Sequence, residues 1–551
     1  MKPPTLLRWI VFFSLALSAG RLPAAPARFE VSISPSAASA PVTGRLILVL
    51  AAKAEPEPRL TISPTGPAIY AVELVQLAPG HAAVIDEHAL GYPKPLAELP
   101  AGDYFAQAIV NVYTEFHRSD GHDIWVHMGD GQVETFQIAP GNLYSSPLKV
   151  HLGDGGTFKL EIAHVIPPSP PAADTAWIKH VKIQSKLLSN FWGHPVFIHA
   201  TVLLPKGYDE HPAARYPLIF PLGHSVPFSF DPDEKTGSRS DRATTGLESG
   251  YEFYRAWNSE HFPRVIAVTL QQATPYFPDS YSVNSANNGP YGDAIVQEVV
   301  PYLEQHFRAI AQPYARILEG ASTSGWQTLA LTLQHPDFFG GAWILQPDPI
   351  DFRHYQLVNI YQDENAFSIP SGPLTTTERP FRRTVEGQVA YTVRELSRFE
   401  EVLGTHGRSG FQLEAWEAVY GPVGSDGYPQ PLWDKLTGKI DRNVANSMRE
   451  HGFDLRDYAQ RNWAELGPRI VGKLHFFCGD MDNFYLNLAV YDFQNFLKST
   501  SNPHYEGEFT FGRPEKGHAW HAWTWAEMVR DMAAYMQKNT PPGEDSAQWN
   551  Y

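Results

Sequence analysis

Arg316-Ile317-Leu318-Glu319-Gly320-Ala321-Ser322-Thr323-Ser324-Gly325-Trp326 decides how the rest of this 551-residue chain is read. The first four residues are strand-like. The residues after Ser322 open a helical pattern through Leu329, Ala330 and Leu333. A strand–turn–helix with small residues two before and two after a serine can hold that serine on a tight elbow at the end of a sheet. Gly320 and Ser324 meet this need for Ser322, whereas Ser324 would have bulky Trp326 as its following neighbour. A loose pattern of this kind arises by chance, so its weight comes from the partners that follow it.

A serine hydroxyl is a weak nucleophile until a base takes its proton and a third group holds the base. On an elbow scaffold the chain order is serine, acid, histidine. The apolar run Leu474-His475-Phe476-Phe477-Cys478 leads into Gly479-Asp480-Met481-Asp482-Asn483, a loop after a late strand and before a helix expected over Phe484–Lys498. Asp482 lies deeper in that loop than Asp480 and is the preferred acid. Glu508-Phe509-Thr510-Phe511 reads as the last strand, and the loop after it carries Gly517-His518, with His521 as the rival base. The oxyanion of a tetrahedral intermediate needs preorganised donors. The backbone N–H of Thr323 is one. The other should come from His224 or Ser225, in the loop after Tyr216–Leu222. Trp326 and Trp520 are aromatic candidates for substrate contact.

Working outward, apolar segments at 181–188, 196–204, 217–222, 264–270, 315–319, 342–346, 473–478 and 507–511 alternate with helical patterns. This alternation implies an α/β fold with a mostly parallel sheet covered on both faces. Apolar residues from Ile295 to Phe307 recur at helical spacing, and Pro301 should kink that helix. Between about 351 and 466 the alternation lapses into helical segments such as Val389–Leu403 with many aromatics, as expected of a cap inserted over the sheet's carboxyl edge. Upstream, 28–155 shows short alternating strands broken by Pro and Gly, as in an immunoglobulin-like β-sandwich. The proline-rich stretch around 164–174 marks a stiff linker, assigned to 156–179, and the α/β unit spans 180–551.

Residues 1–27 read as a secretory signal. Lys2 and Arg8 precede the apolar run Trp9–Ala19, which is too short to span a bilayer, and Ala25-Pro26-Ala27 offers a cleavage site. The expected location is the bacterial periplasm or medium. A single cysteine, Cys478, excludes an intramolecular disulfide and sits in an apolar run, as a small buried hydrophobe would. A formal charge of −16 without a basic cluster argues against a nucleic-acid partner. No later stretch is long and apolar enough to span a membrane. His117, His122 and His127 match no metal-site spacing, and no metal or other cofactor is implied.

The elbow Gly320–Gly325, the opening Thr201-Val202-Leu203-Leu204-Pro205-Lys206-Gly207-Tyr208, the helix Glu298–Glu304 and the Gly517-His518 loop resemble the esterase branch of the α/β-hydrolases. That is the group of esterase D, feruloyl esterases and enterochelin esterases. The likeness covers roughly 180–345 and 470–535. It implies Ser322, Asp482 and His518 as a catalytic triad acting on esters through an acyl-enzyme. Where that family has a His-Gly pair near the oxyanion, this chain has Gly223-His224, and Ser324 replaces a glycine. The preferred substrates are carbohydrate-linked acetyl or feruloyl esters. A siderophore-ester hydrolase and a serine peptidase on the same triad are alternatives, although 28–155 is too short for the propeller that such peptidases often carry. A non-catalytic binding protein is a third, disfavoured by the intact Ser, Asp and His.

Overall fold

The structure, a computed structural model, describes residues 27–551 except 133–134, 154, 224–225, 239–244, 545–548 and 550. The expected signal segment therefore lies outside the described residues, apart from Ala27. Eight strands form the central sheet: β1 (Ile178–Ser185), β2 (Val196–Leu203), β3 (Leu218–Leu222), β4 (Ile266–Gln271), β5 (Arg316–Ala321), β6 (Gly341–Leu345), β7 (Leu474–Gly479) and β8 (Glu508–Gly512). Their spatial order is β1-β2-β4-β3-β5-β6-β7-β8. Strand β2 runs antiparallel to both its neighbours, and every pairing from β4 to β8 is parallel. Strands buried on both faces carry continuous apolar runs, and Leu218, Ile219 and Phe220 or Trp343, Ile344 and Leu345 are such runs.

Local chemistry sets the element ends. The reading of a first strand extending to residue 188 is corrected. Ser185 ends β1, and its hydroxyl accepts from Leu188 N–H, starting a helix over Lys186–Trp192. Before Pro301 the helix passes through a π-helical stretch, Ile295–Val299, and resumes as Val300–His306. Proline lacks the N–H for a regular turn, and the widened turn accommodates it.

Helix α1 (Thr323–Gln334) follows β5 directly and is buried along its length. Between β6 and β7 comes the long insertion. It is not purely helical: two hairpins, Ser368–Gly372 with Thr375–Glu378 and Pro380–Arg383 with Val389–Thr392, precede its helices. The helix expected from Val389 begins only at α2 (Val393–Leu403). Thr392 and Glu395 form a capping box there, and the strand uses the residues before it. Helix α3 (Gln412–Tyr420) follows.

Among the described residues, nine strands of the N-terminal unit join in one hydrogen-bonded sheet, and Thr114–His117 pairs with Asp123–Val126 in a separate hairpin. Strand Gly102–Val112 pairs along one edge with Val42–Ala51, and along the other with Leu148–Leu152 and then Leu143–Ser145. The sheet curls so that Phe29, Leu48, Tyr70 and Ile162, from separated strands, share one core. The linker boundary at 156 is corrected, because Gly156–Val165 is a strand paired in parallel with Ala27–Ile33. Its alternating Leu160 and Ile162 point into that core, which outweighs the proline signal downstream.

Strand Val42–Ala51 is buried on both faces. Leu46, Leu48 and Leu50 face the N-terminal core, while Ile47 and Val49 join the core that contains the insertion. Arg45, 2% exposed, donates to the carbonyls of Val402 (2.9 and 3.1 Å) and Glu401 (3.1 Å) at the C-terminal end of α2. It thereby fills acceptors that a helix end leaves unpaired. Arg45→Met should destabilise the protein by about 2 kcal/mol, the scale of hydrogen bonds to a buried charged group. The check is the urea midpoint, and an unchanged midpoint would show that the α2 carbonyls do not depend on Arg45.

Candidate active site

Ser322 sits at the junction of β5 and α1 with φ 60° and ψ −121°, a conformation that non-glycine residues rarely adopt. Its N–H donates to Leu345 O at 3.0 Å, tying the turn to β6. The approach of strand and helix leaves no room for side chains on either side. A Cβ on Gly320 would lie 2.5 Å from Ser324 O, and one on Gly325 would lie 2.5 Å from Leu345 O. Thr323 opens α1, so its N–H belongs to the first turn, which lacks intrahelical acceptors. His224 and Ser225 lie outside the described residues.

Asp482 is fully buried after β7. Its Oδ2 lies 2.7 Å from His518 Nδ1, and its Oδ1 accepts from the N–H groups of Phe484 and Leu486 at 2.8 and 3.2 Å. The helix after this loop spans Asn487–Lys498, starting three residues later than expected. Asp480 instead accepts from Lys516 N–H at 3.0 Å and braces the histidine loop. Asn483 links three segments. Its Oδ1 accepts from His518 N–H (2.9 Å), its Nδ2 donates to Arg383 O (2.8 Å), and its carbonyl accepts from Arg383 N–H (2.8 Å). Arg383 Nε also donates to Asp482 O at 3.0 Å.

The Ser322 hydroxyl donates to Asp348 Oδ1 at 3.1 Å and makes no hydrogen bond to His518 in this structure. Asp348 was not singled out from the sequence. Its signal was position alone: it stands in Gln346-Pro347-Asp348-Pro349, just beyond the carboxyl end of the strand beside the elbow, where α/β sheets form their crevices. It is 3% exposed. Its Oδ2 accepts from Tyr281 Oη (2.7 Å), Gln412 Nε2 (2.9 Å), Trp416 Nε1 (3.1 Å) and Thr323 Oγ1 (3.2 Å). Tyr281 reaches it from a backbone with φ 62°, strained for so bulky a residue.

Ser322 and Asp348 open onto a cavity of about 200 Å³ walled by Phe381, Leu396, Trp416 and Phe484 of the insertion and acid loop, and by Pro64 of the N-terminal unit. His518 packs edge-on against Phe484, with ring centroids 4.9 Å apart. Phe411 and Gln412 also line a second cavity of about 270 Å³, where Phe136 and Gln137 of the N-terminal unit face Pro275 and Phe277. Trp326 does not line the first cavity. It is fully buried against Tyr420 and Tyr281, because the first turn of α1 points it into the core. Trp520 lies over Gly512, where a Cβ would meet its ring at 2.6 Å, and is likewise absent from the cavity walls.

Burial disfavours the charged form of His518, but the charge and hydrogen bond of Asp482 and the charge of Asp348 outweigh it. The net effect is a raised pKa, against the opposing charge of Arg382. Burial raises the Asp348 carboxyl, and the hydrogen bonds of Tyr281 and Trp416 oppose it. His521 is pushed down to about 4 by burial and by the charge of His518. Cys478 is buried and its thiol pushed up by that burial. Among the described residues no group of His, Cys, Asp and Glu could hold a metal, and no helix is long and apolar enough to cross a membrane.

The mostly parallel sheet, its antiparallel second strand and the serine elbow have the arrangement of an α/β-hydrolase fold. Residues 197–350, less than a third of the chain, match the family model described as "Putative esterase". Among solved structures the chain is similar to a ferulic acid esterase (15% identity, TM-score 0.30, covering 66% of this chain and 98% of that one). It is similar also to an S-formylglutathione hydrolase from Staphylococcus aureus (16%, 0.30, 65% and 98%) and to a ferulic acid esterase from Anaeromyces mucronatus solved with ferulic acid (13%, 0.29, 67% and 93%). No curated protein matches the chain.

Proton NMR should separate the two histidines. His518 should titrate above the ordinary imidazole value of 6.5, while His521 stays neutral down to about 4. The opposite order would reverse the electrostatic assignment.

Proposed function

We propose that the protein is an exported serine hydrolase that cleaves carboxylic esters, with Ser322 as nucleophile, His518 as base and Asp482 as the acid that orients it. The observation that carries this reading is the 2.7 Å contact between Asp482 Oδ2 and His518 Nδ1 beside a serine held on a strained elbow. A carboxylate at Nδ1 keeps the proton there and leaves Nε2 free to accept.

In this reaction the Ser322 hydroxyl turns from Asp348 toward His518; such contacts often tighten only when substrate binds. Ser322 Oγ then attacks the ester carbonyl carbon as its proton passes to Nε2. The carbonyl π electrons move onto the oxygen, which Thr323 N–H stabilises together with a donor from the loop after β3, His224 or Ser225. Collapse breaks the bond to the alcohol oxygen, which leaves with the proton from Nε2. Water, deprotonated by the same nitrogen, repeats the sequence on the acyl-enzyme and frees the acid. Export rests on the signal-like residues 1–27. The N-terminal unit, read as an immunoglobulin-like sandwich, serves as a wall of the substrate cavity through Pro64. The aromatic walls support esters linked to carbohydrate, with acetyl or feruloyl acyl groups, as the substrate class.

Ser322→Ala should abolish both ester turnover and labelling by a fluorophosphonate probe. Asp482→Asn should lower kcat by about 10³–10⁴-fold, through the wrong imidazole tautomer. Asp480→Asn should be mild by comparison, since that carboxylate holds a loop amide; the reverse order in a p-nitrophenyl acetate assay would reassign the acid. Because the base must be neutral and its pKa is raised, kcat/KM should fall on the acid side with a midpoint above 6.5. A midpoint well below that value would contradict the influence of Asp482 and Asp348 on His518.

A further inference from the structure

The two oxygens of Asp348 are unequally supplied. Oδ2 takes four donors, from Tyr281, Gln412, Trp416 and Thr323, while Oδ1 takes one, the Ser322 hydroxyl. All five donors are neutral, and among the described residues no cation lies within ion-pair distance of the carboxylate. A buried carboxylate oxygen left without a donor is costly. When Ser322 turns to His518, Oδ1 loses its one partner, and the void beside it is the substrate cavity.

We propose that Asp348 is a specificity-determining residue that accepts a hydrogen bond from a free hydroxyl on the carbon next to the ester-bearing carbon of the alcohol, as in a partly acylated sugar or other vicinal diol. This rests on the esterase reading above and narrows its substrate class. Oδ1 lies 3.1 Å from the attacking oxygen, so the donor that replaces Ser322 must sit within a few bonds of the carbonyl carbon. A vicinal hydroxyl meets that reach, and every monoester of a vicinal diol carries one. The Trp416 and Phe381 rings that wall the cavity give the apolar face of a sugar ring a surface to lie on. A carboxylate at this position also repels acyl groups or alcohols that carry a negative charge near the ester.

The test compares 2-hydroxyethyl acetate with n-propyl acetate, which replaces the terminal hydroxyl by a methyl, in a pH-stat assay. The parent enzyme should favour the hydroxylated ester about ten- to a hundredfold in kcat/KM, the scale of one hydrogen bond to a charged group. In Asp348→Asn the ratio should collapse toward one, because the amide presents an acceptor and a donor where two acceptors stood. Asp348→Ser provides the same readout if the amide variant does not fold. A parent enzyme that does not discriminate, or variants that keep the preference, overturn the proposal. A preference for ethyl lactate over ethyl propionate, with none between the two acetates, overturns it too by putting the donor on the acyl side. If the parent cleaves neither acetate and Ser322 escapes the fluorophosphonate, the esterase reading has failed and this proposal with it; labelled Ser322 with equal rates refutes the role of Asp348 alone.

Discussion

The close approach of β5 and α1 at Ser322 is the constraint on which the site depends. The backbone there is held in a disfavoured conformation by the bond from Ser322 N–H to Leu345 O and by two positions that tolerate no Cβ, Gly320 and Gly325. The strain does two things at once: it lifts the hydroxyl clear of the sheet and starts a helix whose first N–H is unpaired. The parallel strands β6, β7 and β8 then deliver Asp348, Asp482 and His518 from loops at the same edge. Each of those loops is anchored by backbone hydrogen bonds, so the side chains inherit the order of the strands.

Around this edge the chain adds material that the central sheet alone does not supply. The insertion brings Gln412 and Trp416 to Asp348, and Arg383 to the acid loop. The N-terminal unit brings Pro64 to the cavity and Arg45 to the end of α2. Cavity, insertion and N-terminal sheet therefore share one continuous apolar core, in which Ile47 and Val49 sit with Trp326 and Trp416. The pocket beside Ser322 is a product of three segments distant in sequence.

The strands of the central sheet were legible because each is an apolar run bounded by turn residues, and the elbow because its small neighbours are a steric requirement. The loops of Asp482 and His518 could be expected near the elbow because their place after late strands follows from the topology. Other features left weaker traces. Asp348 has no motif, since its role arises from Tyr281, Gln412 and Trp416 converging on it from elsewhere in the chain. Trp326 looked available but is turned inward by the helix it belongs to, a direction that composition cannot convey. The strand Gly156–Val165 was hidden by the prolines that follow it, and the hairpins of the insertion are too short and polar to signal a period.

The bracket formed by Arg383 and Asn483 ties the insertion to the loops of Asp482 and His518. The hairpin that carries Arg383 is stitched to the main chain of residues 482 and 483, and Asn483 is stitched in turn to the amide of His518. That hairpin is thus a girder under the Asp482–His518 pair rather than a door hung beside it. Excising it would remove one brace from Asp482 and His518 together, two side chains that meet from loops 36 residues apart.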